Sequence, residues 1–473
     1  MLRVTTWLRS NPNAASVDSR GVLVMTAVLS APVTSVRPAS AAVSAIADRA
    51  PVIPALASVV GADAQVPVAA GFSVRYANLD YAASAPALAS VAAQVAGTLG
   101  EYASVHRGAG HLSQVTTRRY EAARETVRDF VRGRVGDTVV FTRNTTDAIN
   151  LAAHITPGDV VVLDIEHHAN LLPWCAPKDG GNRARVVTAC DTIEDTLVAI
   201  EAELASKPAS LLAVTAASNV TGEVLPIGRL ASIAHRHGAR ILVDAAQLVA
   251  HRPISIVSHG IDYLAFSGHK AYAPFGAGVL IGRSDWFDAA DPYLAGGGAT
   301  ADVELGGEES SAGTTWHTGA ARHEAGSPNV LGAVSIAEAC TALAELGPEA
   351  IGLHELRLCE RLDAGLSRIG GVRPLQIFTD STDRVGIAGF TVDGFAPRAV
   401  AEYLSSEHGI GVRDGKFCAH PLLKRLGHPE GAVRASFGAG TTSDDVDRLL
   451  DALGTLCATT TTDRPELDEG YPA

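Results

Sequence analysis

The sequence predicts an α/β fold in which a parallel sheet, covered by helices on both faces, is followed by a smaller α/β domain. Short continuous apolar runs alternate with segments of helical periodicity, which is typical of strands buried on both faces. The chain has 473 residues, of which 47% are hydrophobic, so it can bury a large core and form two domains. No internal repeat interrupts this pattern.

Two helices come first. The segment 86–103 has a proline in its first turn, and the segment 116–133 is amphipathic, with apolar residues at i, i+3, i+7, i+10 and i+11 counted from Tyr120. Strands and helices then alternate. The predicted strands are 138–141, 159–165, 210–218, 240–246, 261–266 and 278–282, and the predicted helices between them include 145–155 and 227–238.

The second half of the chain predicts a separate small domain, with helices at 331–347 and 351–370, a strand at 385–393 and a helix near 397–407. We therefore expect a large domain over 46–330, whose N-terminal segment 46–100 packs on the small domain. The small C-terminal domain is expected over 331–473, with a disordered tail from about residue 458. Residues 1–45 are of low complexity and are expected to form a disordered extension.

The N-terminal sequence and the cysteine content bear on the cellular compartment. Arg3, Arg9 and Arg20 precede the apolar "GVLVMTAVLSAPV", as in a signal peptide, although a poorly ordered leader or a start codon placed too far upstream explains the same residues. Six cysteines without a CxxC pair favour a reducing cytosol. We expect a cytoplasmic protein, with export as the alternative.

Charge and hydropathy disfavour two classes of partner. The net charge of −13 argues against nonspecific binding to nucleic acid or to an anionic membrane. No run reaches 18 apolar residues, so no membrane span is expected.

Two charged residues stand where apolar strands end. Lys270 follows the strand 261–266 in "FSGHKAYAPFGAG", and Asp244 ends the apolar run "ILVD". A buried lysine or carboxylate is costly unless it is paired or neutralised. Because ligands bind at the carboxyl ends of parallel strands, both residues are expected at one binding site.

Two further motifs follow neighbouring strands. Thr145 and Thr146 lie at a strand-to-helix turn where their hydroxyl and N–H groups could hold a phosphate, although an ordinary helix N-cap formed by Asn144 or a threonine explains the same pattern. His167 and His168 lack convincing third and fourth metal ligands nearby, so no metal site is expected. A lysine, a carboxylate, a phosphate cradle and an imidazole that can stack on a ring together indicate pyridoxal 5′-phosphate (PLP).

These motifs resemble the class V aminotransferase superfamily of fold type I PLP enzymes, and within it the cysteine desulfurase and selenocysteine lyase group of the sulfur-mobilisation type. The resemblance runs over residues 76 to 455. It rests on these stretches: "NLDYAASA", "VHRGAGHLS", "FTRNTTDAIN", "EHHANLLPW", "SNVTGEVLPI", "VDAAQ", "FSGHKAYAPFGAGVL", "RHEAGSPN" and "GVRDGKFCAHPLLKRL". It implies a large domain with a mostly parallel seven-stranded sheet flanked by helices, and a smaller C-terminal α/β domain.

The resemblance also implies roles for individual residues. Lys270 would form the Schiff base and later act as acid and base, Asp244 would pair with the pyridine nitrogen, Gln247 would bond the ring oxygen, and His167 would stack on the ring and act in catalysis. The residues implied at the phosphate are Thr145, Thr146, Ser267 and His269, together with Gly326 and Ser327 of the partner in an obligatory homodimer. Gly268 is expected to let the backbone pass close to the cofactor.

The substrate side of the site is implied in the same way. Its residues would be His106, Asn219, Arg413 and Arg434, with Arg434 as the candidate for a bidentate clamp on the substrate carboxylate. Cys418 falls at the position of the family's nucleophile, where Lys416 and His420 would favour the thiolate. A buried structural cysteine is the alternative. Phe417 departs from the family, which often has histidine there.

The expected function is a PLP-dependent cysteine desulfurase that converts L-cysteine to L-alanine and leaves a persulfide on Cys418, or a selenocysteine lyase. A separate acceptor protein would withdraw the sulfur. Two alternatives stay open on the sequence: a class V aminotransferase, epimerase or other C–S lyase without a persulfide, and a noncatalytic scaffold that has lost PLP.

Overall fold

The computed structural model describes residues 15–17, 23–25, 51–176, 184–305 and 312–459. The two short N-terminal segments, β1 (Ala15–Val17) and β2 (Leu23–Met25), pair in antiparallel fashion. The rest of the low-complexity extension, and the tail expected to be disordered from about residue 458 beyond Thr459, lie outside the described residues.

The remaining strands of the described chain alternate with helices over most of its length. The strands are β3 (Gln65–Pro67), β4 (Ser73–Arg75), β5 (Ala77–Asn78), β6 (Thr138–Thr142), β7 (Val160–Leu163), β8 (Ala184–Val187), β9 (Leu211–Thr215), β10 (Arg240–Asp244), β11 (Tyr263–Ser267), β12 (Gly278–Gly282), β13 (Thr300–Leu305), β14 (Ala312–Trp316), β15 (Val372–Pro374), β16 (Ile387–Val392), β17 (Ile410–Gly411), β18 (Arg413–Gly415) and β19 (Ala432–Ser436).

The helices that accompany these strands are α1 (Ala89–Leu99), α2 (His111–Phe130), α3 (Thr145–Ile155), α4 (His168–Cys175), α5 (Ile193–Ser206), α6 (Ile227–Arg236), α7 (Ile256–His259), α8 (Ser284–Ala289), α9 (Gly319–His323), α10 (Val330–Leu346), α11 (Pro348–Leu366), α12 (Pro397–His408), α13 (His420–Arg425) and α14 (Ser443–Thr459). The seven predicted helices are present and differ from the prediction mainly at their ends, whereas α4, α5, α7, α8, α9, α13 and α14 were not predicted.

A seven-stranded sheet lies at the centre of residues 51–473, in the order β6-β12-β11-β10-β9-β7-β8. Only β12 runs antiparallel to its neighbours, β11 and β6, and the other pairs are parallel. All residues of β7, β9 and β11 are buried, as continuous apolar strands covered on both faces require. The predicted mostly parallel seven-stranded sheet is confirmed.

This sheet brings distant parts of the chain to one edge. The strands β6, β7, β9, β10 and β11 share one direction, so their carboxyl ends meet there. The chain leaves β11 through a single 3-10 turn, Gly268–Lys270. Residues that follow these strands are therefore close in space although they are far apart in sequence.

A second, antiparallel sheet forms in the C-terminal part of the chain, in the order β15-β16-β19-β18. Its core includes Phe390, Val433 and Leu449, and it also buries Leu79 and Ile53 from the N-terminal segment. The expected packing of the segment 46–100 on a separate small domain stays a prediction, and so does the domain boundary at residue 330.

The sequence interpretation missed β8 and the hairpin of β13 and β14, together with β3, β4, β5, β15, β17, β18 and β19. Strand β8 lies at the edge of the large sheet and carries an arginine, so it has no continuous apolar run. The hairpin strands are rich in polar and small residues, and their described positions are mostly exposed. Neither segment has the apolar pattern on which strand prediction depends.

Within the described chain, we find no individual helix with both the length and the apolar composition of a membrane span. Helices α10 and α11 meet these criteria only when they are taken as one segment with a bend of 81°.

Candidate active site

A cavity of about 270 Å³ opens at the carboxyl ends of the parallel strands. Most of the predicted site residues line it. They are Thr145, Thr146, His167, Asn219, Asp244, Gln247, Ser267, His269, Lys270, Arg413, Cys418 and Arg434. The tertiary structure therefore brings the predicted cofactor, substrate and nucleophile residues of one chain into a single pocket.

Lys270 reaches this cavity from the 3-10 turn after β11. Desolvation lowers the pKa of its amine to about 8, against the attraction of Asp244, while Arg434 favours the neutral form and Cys418 opposes it. With this pKa, about a tenth of the amine is neutral at pH 7 and about half at pH 8, far more than for an ordinary lysine, so the amine can act as a nucleophile or a base.

Asp244 ends β10 and is 4% exposed. Its Oδ1 accepts a hydrogen bond from the backbone N–H of Ala246 at 3.0 Å. Burial raises the pKa of its carboxyl group, while the Ala246 N–H and the Lys270 charge oppose that shift. A buried carboxylate that faces the same cavity as a lysine is suited to pair with a cationic ring nitrogen.

His167 is the N-cap residue of α4, and its Nδ1 accepts the backbone N–H of Ala169 at 3.0 Å. Desolvation, with smaller contributions from Lys270 and His168, lowers the pKa of the ring to about 3. The imidazole is therefore neutral, and because Nδ1 accepts, its proton lies on Nε2. A neutral ring on the cavity wall can stack on a flat ligand.

The N-terminus of α3 presents hydroxyl and backbone N–H groups that can bind an anion. Asn144 caps the helix by accepting the Asp147 N–H at 3.0 Å, so the threonines are not needed as caps. Ser267 Oγ accepts the Thr145 N–H at 2.7 Å and lies 2.6 Å from Thr145 Oγ1. The N–H of Thr146 has no hydrogen-bond partner in the described part of the chain. Hydroxyls and an open N–H at this positive helix end suit a phosphate.

Two other predicted cofactor residues, Gln247 and His269, form hydrogen bonds within the protein. Gln247 Nε2 donates to the carbonyl oxygen of Ala82 at 3.0 Å, which fixes the amide beside the cavity. The carbonyl oxygen of His269 accepts the Ala85 N–H at 2.8 Å. Desolvation lowers the pKa of the His269 ring to about 4, so this ring is also neutral.

Gly268 was expected to let the backbone pass close to the cofactor, but its close contacts are with other parts of the protein. A Cβ added to Gly268 would lie 2.7 Å from Ile336 Cγ1 and 2.9 Å from the Ala273 carbonyl oxygen, so this glycine is required by packing under α10 and by its own turn. It does not line the cavity. Gly278 makes the close approach at the site, because an added Cβ would lie 2.6 Å from Asn144 Cα.

Cys418 lies at the cavity in an unusual turn. Both Phe417 and Cys418 adopt left-handed backbone conformations, with φ of 50° and 52°. Cys418 is exposed, whereas Phe417 is 6% exposed. The alternative of a buried structural cysteine is wrong for Cys418, although it holds for Cys340 and Cys359, whose thiol pKa burial raises, in Cys359 to about 11.

Arg434 is 3% exposed and already holds two protein oxygens. Its Nη2 donates to Asp80 Oδ1 at 2.9 Å, its Nη1 donates to the Asn219 carbonyl oxygen at 2.9 Å, and its Nε has no partner among the described residues. Arg413 lies opposite it in the pairing of β18 with β19. Two arginines at one wall favour a carboxylate ligand.

The sequence interpretation missed Asp80 and Glu166. Asp80 carries the one carboxylate of "NLDYAASA", and this isolated charge among small residues was the available signal. Glu166 is fully buried, and it accepts the Asn170 amide at 2.7 Å and the Thr215 N–H at 3.0 Å. Burial raises the pKa of Glu166 to about 8, and Asp244 and Asp164 add to this shift. Its spacing of four residues from Asn170 was the signal here.

Three predicted residues do not line the first cavity. His106 and Gly326 border a second cavity of about 560 Å³, and Ser327 follows Gly326 in the chain. Arg107 Nη2 donates to the Gly326 carbonyl oxygen at 3.0 Å, and His106 Nε2 lies 2.9 Å from Glu121 Oε1. Among the described residues, no group of three or more His, Cys, Asp or Glu side chains could hold a metal ion.

Residues 77–449 match the family model described as aminotransferase class-V. The chain is 36% identical over 362 residues to the cysteine desulfurase of Klebsiella pneumoniae (strain 342). The aligned region covers 74% of this chain and 86% of that protein. The chain is also 36% identical over 360 residues to a probable cysteine desulfurase of Mycolicibacterium paratuberculosis, covering 75% of this chain and 51% of that protein. The chain thus spans about half the length of this relative.

Two solved structures agree with this family. The apo cysteine desulfurase of Thermococcus onnurineus NA1 is 32% identical, with a TM-score of 0.74, over 81% of this chain and 95% of that chain. The cysteine desulfurase CsdA of Escherichia coli, in an S-sulfonic acid form, is 31% identical with a TM-score of 0.71, again over 81% and 95%. The predicted resemblance to the cysteine desulfurase type is confirmed.

Proposed function

The chain belongs to the class V aminotransferase family, and from this premise we propose that it is a PLP-dependent cysteine desulfurase. It would convert L-cysteine to L-alanine and take the sulfur as a persulfide on Cys418; selenocysteine lyase activity is the same chemistry on a related substrate. The observation that carries the proposal is the convergence of Lys270, Asp244, the α3 N-terminus and an exposed Cys418 on one cavity.

The chemistry of these donors fits PLP. The Lys270 amine would anchor its aldehyde, Asp244 would pair with its ring nitrogen, and the neutral His167 would lie against its ring. Thr145, Thr146 and Ser267 would hold the phosphate. When bound, PLP supplies an electron sink for the substrate α-carbon.

The protein's own side chains would provide the remaining steps. Arg434 and Arg413 would bind the substrate carboxylate, and Asn219 lies beside them. Lys270 Nζ, with its lowered pKa, would remove a proton from the substrate α-carbon and return it. Cys418 Sγ, as the thiolate after loss of its proton, would attack the substrate sulfur, so that a sulfur–sulfur bond forms and the carbon–sulfur bond breaks. The electron pair of that bond would go to the β-carbon, which takes up one proton, and L-alanine leaves.

We include a homodimer with shared active sites in this proposal. Gly326 and Ser327 lie away from the cavity that Lys270 lines, which supports a role at the site of a second copy. The left-handed φ of Gly326, 87°, and the Arg107 bond to its carbonyl oxygen fix this turn for such a contact.

A sulfur-acceptor protein and a cytoplasmic location complete the proposal. Cys418 is exposed, so a persulfide on its sulfur would be accessible to another protein. Cys175, Cys190, Cys340, Cys359 and Cys418 form no disulfide among the described residues, which suits a reducing compartment.

The test is turnover of L-cysteine by the purified, PLP-loaded protein, with alanine and sulfide measured with and without a reductant. We expect alanine in both cases and sulfide chiefly with the reductant. Cys418→Ala is expected to abolish alanine formation, whereas Cys190→Ala, which alters a partly exposed cysteine away from the cavity, should leave it unchanged.

Other outcomes would support the competing functions. Full turnover by Cys418→Ala would exclude the persulfide route. Formation of pyridoxamine phosphate and amino-group transfer to a keto acid, without alanine from cysteine, would identify an aminotransferase. Failure to gain a cofactor absorbance band after PLP is added would favour the noncatalytic scaffold.

A further inference from the structure

Phe417, which precedes the exposed cysteine, is held in two ways by the residues that face the substrate. Asn219 Nδ2 donates to its carbonyl oxygen at 2.7 Å. The guanidinium carbon of Arg434 lies 5.2 Å from the centre of its ring, within the range of a cation–π contact. Asn219 and Arg434 are also joined, because Arg434 Nη1 donates to the Asn219 carbonyl oxygen at 2.9 Å.

The turn that these contacts hold is strained. Phe417 and Cys418 are consecutive non-glycine residues with positive φ, a backbone region that side chains with a Cβ rarely adopt. A second bond helps to hold the turn, because the His168 N–H donates to the Cys418 carbonyl oxygen at 2.8 Å. The conformation is therefore one that the turn would leave if its restraints were removed.

The Asn219 amide and the Arg434 guanidinium, which restrain Phe417, are also the groups that would bind a substrate carboxylate. Among the described residues, buried Arg434 has one carboxylate partner, Asp80, and it faces the exposed Arg413 across the strand pair. Its Nε has no partner among the described residues. An entering carboxylate would therefore draw the guanidinium and the Asn219 amide toward itself and away from Phe417.

We propose that Phe417 couples occupation of the carboxylate site to the position of Cys418. In the free enzyme, Asn219 and Arg434 restrain Phe417 and with it the strained turn. When the α-carboxylate of an amino acid takes these donors, the turn relaxes and the thiol becomes free to approach the substrate sulfur. This inference rests on the proposed function, since it assigns Asn219 and Arg434 to an amino-acid carboxylate.

The coupling also gives a reason for phenylalanine at this position. A ring can lie against the buried guanidinium without a polar group of its own, so it follows the arginine and makes no competing hydrogen bond. The thiol would then be released only when an amino acid is bound. Phe417 is thus a positioning residue, which acts on the reaction through Cys418.

The experiment measures the rate at which iodoacetamide alkylates Cys418 in the PLP-loaded enzyme, read from the Cys418 peptide by mass spectrometry. L-Alanine serves as the probe, because it carries the carboxylate but no sulfur, and cofactor absorbance reports its binding. We expect saturating L-alanine to raise the alkylation rate about fivefold, as the loss of one ordinary hydrogen bond to the turn would allow.

Two variants of Phe417 separate the ring from the strained backbone. Phe417→Gly should alkylate at the raised rate without L-alanine, because it has no ring for Arg434 to hold and its backbone moves freely between positive and negative φ. Phe417→Leu keeps an apolar side chain and the carbonyl acceptor, so it should fold and show a smaller response to L-alanine. Phe72→Leu, on an exposed surface, is the control and should behave as the wild type.

The outcomes distinguish this inference from the function on which it rests. If L-alanine binds but leaves Cys418 alkylation unchanged or slower, the coupling is refuted and desulfuration can still be measured in the same preparation. If alkylation responds as expected but L-cysteine yields no alanine, the coupling stands and the proposed function fails. If L-alanine causes no change in cofactor absorbance or in Cys418 alkylation at any concentration, the coupling is refuted, and turnover of L-cysteine in the same preparation decides the proposed function separately.

Discussion

The hydroxyl groups of Thr145 and Ser267 lie 2.6 Å apart and join the N-terminus of α3 to the end of β11. Ser267 also accepts the Thr145 N–H at 2.7 Å, so one side chain orders the helix end that faces the cavity. The turn with Lys270 begins at the next residue, which links the phosphate cradle to the lysine.

Ser267→Ala should weaken PLP binding about fivefold, because the ordered hydroxyl and one acceptor at the helix end are lost. Titration of apoenzyme with PLP, followed by absorbance, measures the dissociation constant. Ser232→Ala removes an exposed hydroxyl bonded within α6 and is the control. An unchanged constant in Ser267→Ala would contradict a phosphate site at this helix end.

The rate at which Lys270 captures PLP should rise with pH and reach half its maximum near the amine pKa of about 8. The sign follows from the chemistry, since only the neutral amine attacks an aldehyde. Asp244→Asn removes the charge that stabilises the ammonium form, so its midpoint should lie at lower pH. Borohydride trapping across a pH series gives both midpoints, with the exposed Asp63→Asn as control. A midpoint that stays in place or rises in Asp244→Asn would show that Asp244 does not act on Lys270.

Glu166 should make the protein less stable as the pH rises. Its folded pKa, about 8, lies above the ordinary value of 4.5, so the stability linked to its protonated form is present below pH 4.5 and is lost as the pH rises through 8. Glu166→Gln should reduce this fall. Urea unfolding of the PLP-loaded protein at pH 5 and pH 8.5 measures it, and the exposed Glu430→Gln should keep the wild-type dependence. Parallel curves for wild type and Glu166→Gln would count against the assignment.

Gly278→Ala should destabilise the protein by about 1–3 kcal/mol and weaken PLP binding, because the added methyl group meets the backbone of Asn144. Gly97→Ala is the matched control: it lies in α1 with no atom within 4 Å, and it should stabilise the protein by about 0.5–1 kcal/mol. Thermal unfolding and PLP titration give the two quantities. Equal effects of the two substitutions would mean that the contact with Asn144 is not limiting.

Mixed dimers test the proposed sharing of sites. Lys270→Ala and Ser327→Asp should each be inactive, the first without its lysine and the second with a charge that repels the partner's phosphate. After subunit exchange, about a quarter of wild-type activity should return, because half of the dimers are mixed and each contains one intact site. No recovery, with exchange verified by mass spectrometry, would place Ser327 outside the partner's site.

Much of the fold could be predicted because its strands carry strong apolar runs. The strand 278–282 and the helix 145–155 have the predicted bounds, since glycines flank the first and an asparagine caps the second. The edge strand Ala184–Val187 and the hairpin over 300–316 lack that signal, because their polar and exposed positions do not need an apolar pattern. The strand Ala432–Ser436 was missed although it is buried throughout, because Arg434 interrupts its apolar run. Local sequence therefore predicts strands with a continuous apolar run and misses those that lack one.

The candidate site divides in a similar way. Lys270, Asp244 and the threonine turn could be placed from their positions at strand ends, because the carboxyl ends of parallel strands meet. The role of Gly268 was misassigned, since its close contact is with Ile336 on a helix that starts about 60 residues later. Asp80 escaped notice because its partner Arg434 is far away in the chain.

The sequence by itself determined the fold class and placed Lys270, Asp244 and the threonine turn at one site, because apolar periodicity and strand-end motifs are local properties. The family, and most of the other residues at the cavity, followed from the resemblance of its ordered motifs to a known family. The tertiary structure decided that Cys418 is exposed in a left-handed turn, that Phe417 lies against Arg434, and that Gly326 and His106 border a separate cavity. These relationships depend on contacts between segments brought together only when the two cores form, so no stretch of the sequence carries them alone.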